Sequence, residues 1–391
     1  MSEWREMMLG DVLLFQRGFD LTRSAATPGP YPVISSGGIG YTCDIGKVPG
    51  PGVITGRKGV LGKVYYSAGP YWPHDTTLWV KDFKESDPRF IYYMLQTLPL
   101  ASLDAGASNP TLNRNHAHLL AVRMPDPTTQ RRVSSVLGAL DDLIENDRRR
   151  IKLLDRMAQA IYREWFVHFR YPNHEALTLV DSSYGPIPDG WCVVPLSTVA
   201  VVNRSSRKPS AGEDIRYLDI SCLGDRFVGV PARMNGALAP GRARRVVGAD
   251  DVVWSMVRPN RRAHALLVDP GKDWIASTGL AVITPTRISP SLLFEIVSAR
   301  EFSDYLVSQE SGAAYPAVKP ADLEAAAALT PSREIDREFE QVVGPLHQMI
   351  WTLRERSAGL GMIRDLLLPK LVTGQIDVSK LDLDALVGAV G

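Results

Sequence analysis

At 391 residues and 45% hydrophobic content, the chain is large enough for two or three ordinary globular domains. Its net charge of +1 excludes a uniformly basic nucleic-acid coat, so any basic surface must be local. Cys43, Cys192 and Cys222 are widely spaced with no CxxC pair, which argues against a disulfide framework or a zinc site and fits a reducing cytoplasm. The opening MSEWREMMLGDV carries charge where a signal peptide needs an apolar run, and nothing approaches 18 continuous apolar residues, so a soluble, cytoplasmic protein is expected.

Residues 1 to about 124 are rich in Gly, Pro and short β-type runs: Tyr31 to Ile34, Gly52 to Thr55, Lys63 to Tyr66 and Thr77 to Val80. A helical stretch from Pro88 to Leu98 follows them, giving a mixed α/β pattern. From Thr128 to about Phe169 glycine nearly vanishes. Alternating steps of four and three run through Val133, Leu137, Leu140, Ile144, Asp147, Ile151, Leu154, Ala158, Ile161 and Trp165, of which nine of ten are apolar. That period is the seam of a long coiled-coil helix. The run Asp147 to Arg150 is expected on its solvated faces.

From about 175 to 330 the first texture returns, with β-type runs at Val199 to Val202, Tyr217 to Ile220, Asp251 to Trp254 and Ala281 to Thr284 and one helix expected from Ser291 to Gln309. A shift of 206 residues then carries Pro110 onto Pro316 and Pro125 onto Pro331. The seam moves with it to Phe339, Val343, Leu346, Ile350, Leu353, Ser357, Leu360, Arg364, Leu367 and Leu371, eight of ten apolar. In this second helix Gly359 and Gly361 should each cost about 1 kcal/mol, and Pro369 is expected to end or kink it. A layout repeated at half the chain length implies an internal pseudo-twofold, with the two helices packed antiparallel, and two similar surfaces presented to a partner of matching symmetry. Duplex DNA is such a partner.

The motifs that would carry chemistry are missing. Gly56 to Lys63 imitates a phosphate loop but has Val64 where Ser or Thr is needed. Ser108-Asn-Pro-Thr111 lacks the second proline and the aromatic residue of an adenine methyltransferase motif. No Gly-x-Ser-x-Gly elbow occurs. His116 and His118 are spaced poorly for a shared metal, and His74-Asp75 reads better as a structural pair.

The chain offers instead clustered donors on loops. In the first half these are Arg57, Lys58 and Lys63, with Ser35 to Gly38 nearby and Asn109, Asn113 and Arg114 later. In the second half they are Asn203, Arg204, Arg207 and Lys208, then Arg242, Arg244 and Arg245, then Arg258, Asn260, Arg261 and Arg262. Phosphates take Lys, Arg and backbone donors, whereas base edges take bidentate Arg or Asn. Arg57, Lys58, Arg258, Asn260 and Arg261 are the leading candidates.

The order globular domain, long helix, globular domain, long helix resembles the DNA-specificity subunit of Type I restriction-modification enzymes. So do Gly10-Asp-Val, Gln130 to Asp142, Ile161-Tyr-Arg-Glu-Trp-Phe166, Arg258-Pro-Asn260 and Leu367 to Gln375. The resemblance implies target-recognition domains at 1–125 and 172–330, spacer helices at 126–171 and 331–375, and a tail at 376–391. It also implies a non-catalytic subunit that reads a split DNA site and docks two methyltransferase subunits and restriction subunits. S-adenosylmethionine and ATP would sit on those partners, with no cofactor or metal in this chain. A helix of about 40 residues spans roughly 60 Å, which bounds the half-site separation at roughly 18 base pairs. A self-sufficient DNA-binding adaptor that dimerises through its coiled coil is the alternative.

Overall fold

The computed structural model describes residues 4–104, 110–182, 185–312 and 316–378. The chain forms two compact units: residues 1–145 with 359–391, and residues 146–358. Each unit therefore combines one globular body with part of each long helix.

In the first unit Leu14–Arg17, Thr77–Asp82, Gly52–Gly56 and Val64–Ser67 form a four-stranded antiparallel sheet in that spatial order. The second unit repeats it with Ala200–Val202, Leu280–Pro285, Asp251–Ser255 and His264–Leu267. A further sheet in each unit has the same mixed core: Tyr31–Ser35 pairs antiparallel with Gly38–Cys43 and parallel with Trp72–Pro73. Its counterpart Asp214–Leu218 pairs antiparallel with Ala232–Asn235 and parallel with Trp274–Ser277. The second unit adds Ala243–Val246 to this sheet. A third pairing, Arg5–Met8 with Ala121–Met124, is matched by Cys192–Pro195 with Ala327–Thr330. These three pairings are thus repeated between the two units, well beyond the segment where the sequence is.

The first long helix runs Pro127–Tyr162 and passes into a single π-helical turn, Arg163–Val167. The second runs Arg333–Val372, and two expectations are corrected here. Pro369 does not end it, since the helix continues three residues further to Val372. Proline removes only its own hydrogen bond to the carbonyl four residues back, here Asp365, and the helix closes just beyond it, with the Thr373 N–H on the Pro369 carbonyl at 3.2 Å. Pro345 is tolerated inside the helix, where Phe339, Val343, Ile350, Leu353 and Leu360 are all at most 4% exposed, so tertiary burial outweighs the local cost. Ser291 to Gln309 is two helices, Pro290–Ser298 and Arg300–Ser308, because Ala299 takes an extended conformation.

Asp147 is not on a solvated face. It is fully buried in the second unit, where it accepts from both the Nε and the Nη2 of Arg356 and from the Ser357 hydroxyl at 3.3 Å. The three non-apolar seam positions are all polar contacts of this kind. Asp147 meets Ser357, and in the first unit Arg364 donates to Asp141 at 2.9 Å. A buried charge at a seam needs a partner in register, so these pairs fix how the helix segments slide against one another within each unit.

The globular body of each unit grips the long helix that follows it at matching positions. In the first unit the Asp87 N–H donates to Gln130 at 2.9 Å, the Ser134 hydroxyl to Asp87 at 2.6 Å, and the Tyr93 hydroxyl to Asp141 at 2.6 Å. Shifted by 206 residues, Gln130, Ser134 and Asp141 become Asp336, Glu340 and His347. Asp336 accepts from the Ser289 N–H at 2.9 Å, Glu340 from the Ser291 N–H at 3.0 Å, and His347 Nε2 lies 3.1 Å from Glu295. The same three helix positions are used in both units, with different residues at each and, for Ser134 and Glu340, a different partner on the capped helix. Gly138 belongs to the same joint: the Arg89 guanidinium donates to its carbonyl at 3.1 Å, and a Cβ there would lie 2.7 Å from that guanidinium.

The expected seam residues lie in the cores. Val133, Leu137, Leu140, Ile144, Phe339, Val343, Ile350, Leu353 and Leu360 are buried, and Ile151, Leu154, Ile161, Leu346 and Leu367 are half-buried. In the first unit Val133 and Leu137 share a cluster with Phe90, Ile91, Leu371 and Val372, while in the second Ala158, Trp165 and Phe166 pack with Phe339 and Val343.

Candidate nucleic-acid interface

The leading candidates lie on one hairpin loop that occurs in both units. In the first, Gly52–Gly56 turns through residues 57–63 into Val64–Ser67. The Arg57 and Lys58 N–H groups both donate to the Thr76 carbonyl, at 2.8 and 3.0 Å, and the Arg57 guanidinium donates to the Asp75 carbonyl at 3.3 Å. The Asp75 carboxylate is held by Arg17 at 3.2 Å and His74 at 3.0 Å. Ser36 joins the same edge through its N–H to Thr76 and its carbonyl to the Tyr65 hydroxyl. Loops 35–38, 57–63 and 74–77 are thus bound into one rim. Lys63 and Arg114 are exposed, and the Asn113 side chain caps the short helix Arg114–His118. Asn109 lies outside the described residues.

In the second unit Asp251–Ser255 turns through Arg258 to Arg262 into His264–Leu267. The Gly59 N–H bonds the Pro110 carbonyl at 3.1 Å, and the Arg258 N–H bonds the Pro316 carbonyl at 2.9 Å. Leu112 and Val318 donate to Arg57 and Met256 in the same way, at 2.8 and 2.9 Å. Gly59 and Arg258 are therefore equivalent positions. Each loop begins and ends in a left-handed residue: Gly59 (φ 80°) and Gly62 (φ 81°) in the first, Arg258 (φ 52°) and Arg262 (φ 52°) in the second. Glycine adopts this conformation freely. An arginine does not, and such strain, roughly 1–3 kcal/mol per residue, persists where surrounding contacts enforce it.

Those contacts are visible. Arg262 sends Nη2 to the Ser298 carbonyl at 2.7 Å, at the C-terminus of helix Pro290–Ser298, where the helix dipole favours a cation. His264 donates from Nδ1 to the Arg262 carbonyl at 2.7 Å and accepts at Nε2 from the Ser298 hydroxyl at 2.8 Å, stacked on Trp254 at 4.4 Å. Arg262 is therefore turned inward as an anchor, while Asn260 and Arg261 are exposed.

Burial drives the His264 imidazole down to about 3, because desolvation of the charged form outweighs the help of the Arg262 carbonyl and Glu295, and the Arg226 and Arg262 cations add to the lowering. An unfolded histidine titrates at about 6.5. Above that pH both states are neutral and His264 does not penalise the fold. As pH falls from about 6.5 towards about 3 the unfolded chain gains a proton that the folded chain refuses, costing up to ~1.4 kcal/mol per pH unit. The slope of stability against pH in this window should be shallower for His264→Asn, measured by denaturant unfolding from pH 4 to 7. An identical slope in the variant would mean that His264 is free to protonate in place.

A second basic surface gathers on residues 203–208 and Ala243–Val246. The Arg207 N–H donates to the Arg244 carbonyl at 2.8 Å, and its guanidinium forms a bidentate pair with Glu213. That pairing holds the Glu213 carboxyl down to about 2. Arg204, Lys208 and Arg242 are exposed and Arg244 and Arg245 half-buried. Asn203 is structural, since its Oδ1 accepts from the Val282 N–H at 3.1 Å. So is His118, whose Nε2 accepts from the Phe15 N–H at 3.0 Å. Among the described residues no three His, Cys, Asp or Glu side chains are placed to hold a metal, and no helix is long and apolar enough to cross a membrane.

One group has no signal in the sequence. Arg226 is 7% exposed, bonds Asp155 at 2.7 Å and Glu295 at 2.6 and 3.1 Å, and lies over the Phe294 ring at 4.4 Å. Its three partners are scattered over 140 residues of chain from Asp155 to Glu295, so no local motif announces it.

Comparison with known proteins agrees with this architecture. Residues 1–156 match the family described as the Type I restriction modification DNA specificity domain. The chain is 24% identical over 307 residues to the specificity subunit of the Type I restriction enzyme MjaIX of Methanocaldococcus jannaschii, covering 75% of this chain and 70% of that one. It is 25% identical over 100 residues to the HindI specificity subunit of Haemophilus influenzae, covering 24% and 22%. In fold it is similar to the S subunit of a Type I restriction-modification system from M. genitalium, with a TM-score of 0.62 at 16% identity over 95% of this chain and 96% of that one. Residues 1–156 thus match the Type I restriction modification DNA specificity domain, and over three quarters of its length the chain is similar to a specificity subunit of a Type I restriction enzyme.

Proposed function

We propose that this chain is the specificity subunit of a Type I restriction-modification enzyme, reading a two-part DNA site through recognition domains at 1–125 and 172–330. The observation that carries the reading is the repeated hairpin loop, which offers donors from the same place in two bodies of the same fold. Arg57, Lys58, Lys63, Asn113 and Arg114 in the first unit, and Arg204, Arg207, Arg258, Asn260 and Arg261 in the second, supply the DNA contacts. Arg262 supports the loop from within. The chemistry belongs to partner subunits, which carry S-adenosylmethionine and ATP and work with this chain in the cytoplasm.

The long helices are the docking platform for the methyltransferase subunits. The seam residues are spent on packing inside each unit. The outward apolar side chains remain: Leu153, Met157, Val342 and Met349 in one unit, Met362, Ile363 and Leu366 in the other, each 43–66% exposed. Exposed apolar residues grouped on helices suit a protein partner.

The test is selection from random duplex DNA by the purified chain assembled with its methyltransferase subunit. Two short fixed blocks, separated by a constant gap of roughly half to one turn of DNA, are expected. One contiguous block, or specific binding by a dimer of the chain alone, would favour the adaptor alternative.

A further inference from the structure

Resting on the DNA-specificity reading, we propose that the hairpin loop is the base-reading element of each unit. Asn260 and Arg261 read adjacent purines in one half-site, and Val60 reads a thymine methyl in the other. The loop is the same device in both places. Its first residue is pinned to a proline carbonyl, by Gly59 to Pro110 and by Arg258 to Pro316. Both its ends are left-handed, and of the residues between them Val60, Asn260 and Arg261 are the exposed ones.

Within the loop, inward and outward positions are cleanly divided. Pro259 is buried and its carbonyl accepts from the Ser303 hydroxyl at 3.4 Å, while Leu61 packs on the core of the first unit. Asn260 and Arg261 are exposed, and Val60 is 40% exposed. Among the described residues neither the Asn260 amide nor the Arg261 guanidinium meets a hydrogen-bond or ion-pair partner. Several other candidate donors are engaged within their own units: Arg262 with Ser298 and Arg207 with Glu213 in the second, Arg57 with Asp75 in the first. A rigid turn that leaves two uncommitted bidentate donors at its tip has the form that base recognition needs.

The chemistry then follows from the side chains. Asparagine pairs with the N6 and N7 edge of adenine, arginine with the O6 and N7 edge of guanine, and an apolar side chain with the thymine methyl. Consecutive Cα atoms about 3.8 Å apart match the base-pair rise of about 3.4 Å, so neighbouring residues can address neighbouring pairs. The one-residue difference between the loops, Val60-Leu61 against Pro259-Asn260-Arg261, makes the two half-sites chemically unlike.

The experiment compares wild type with Asn260→Ala, Arg261→Ala, Arg261→Lys and Val60→Ala, each assembled with the methyltransferase subunit, by selection from random duplex DNA. Loss of preference by about 5- to 150-fold at one adenine for Asn260→Ala and one guanine for Arg261→Ala, confined to one half-site, is expected. Val60→Ala should relax a thymine in the other half-site. Arg261→Lys should keep overall affinity and lose the guanine preference, which separates base reading from charge. A uniform loss of affinity on every sequence with a smaller salt dependence would overturn the proposal and make the loop a phosphate clamp. Unchanged preferences in folded variants would also overturn it. A wild-type complex with no sequence preference would remove the specificity reading itself.

Discussion

Arg226→Ala should destabilise the second unit by about 3–5 kcal/mol, because it strands a buried carboxylate. Glu295 is 2% exposed. Burial alone would raise its carboxyl, but Arg226, aided by His347, more than offsets this and holds it below the ordinary range. His347 continues the chain through Nδ1 to the Ser291 hydroxyl at 3.0 Å. Arg354 adds a second cation, donating to the Arg226 carbonyl at 2.6 Å. Desolvation lowers its guanidinium to about 10, so it stays charged at neutral pH. The network is paired and costly to break, yet replacing a buried ion pair by apolar groups is often close to neutral. Arg226→Met with Glu295→Leu should therefore recover at least half of the loss. Guanidinium unfolding followed by tryptophan fluorescence reads both. A single variant within 1 kcal/mol of wild type would show that water reaches Glu295.

Phe339→Ala should cost a similar ~3–5 kcal/mol by opening a cavity in a close-packed site. Phe339 is fully buried at the start of the second long helix, with its ring edge-on to Phe166 at 4.9 Å and near Trp165 at 5.7 Å. Ile161 to Phe166, where the first long helix ends, is thus what receives the beginning of the second within this unit. Met362→Ala, at a position 66% exposed, should leave stability within about 0.5 kcal/mol of wild type. Comparable losses at both positions would mean that Met362 is covered in the folded chain.

The helices were readable because a 3.5-residue period depends only on local spacing, and the 206-residue shift doubled the signal. Local rules failed where tertiary contacts outweighed them. Pro345 and Pro369 sit in a helix whose seam is buried, and Asp147 is charged but paired across that seam. The break at Ala299 had no breaker residue to announce it. In the globular bodies the repeat is invisible to a gapless shift, since the loops differ in length and Gly59 stands where Arg258 does. The basic loops could be named from composition, but not sorted. Only the hydrogen bonds separate an inward anchor such as Arg262 from an outward side chain such as Arg261.

The most direct test is a methylome by long-read sequencing. Cells carrying this chain with its cognate methyltransferase subunit are compared with cells lacking only this chain. A split, two-part methyladenine motif that disappears without the chain is expected, and it would give both half-sites at once. An identical methylation pattern in the two strains, with both proteins expressed and soluble, would contradict the assignment of this chain as the guide.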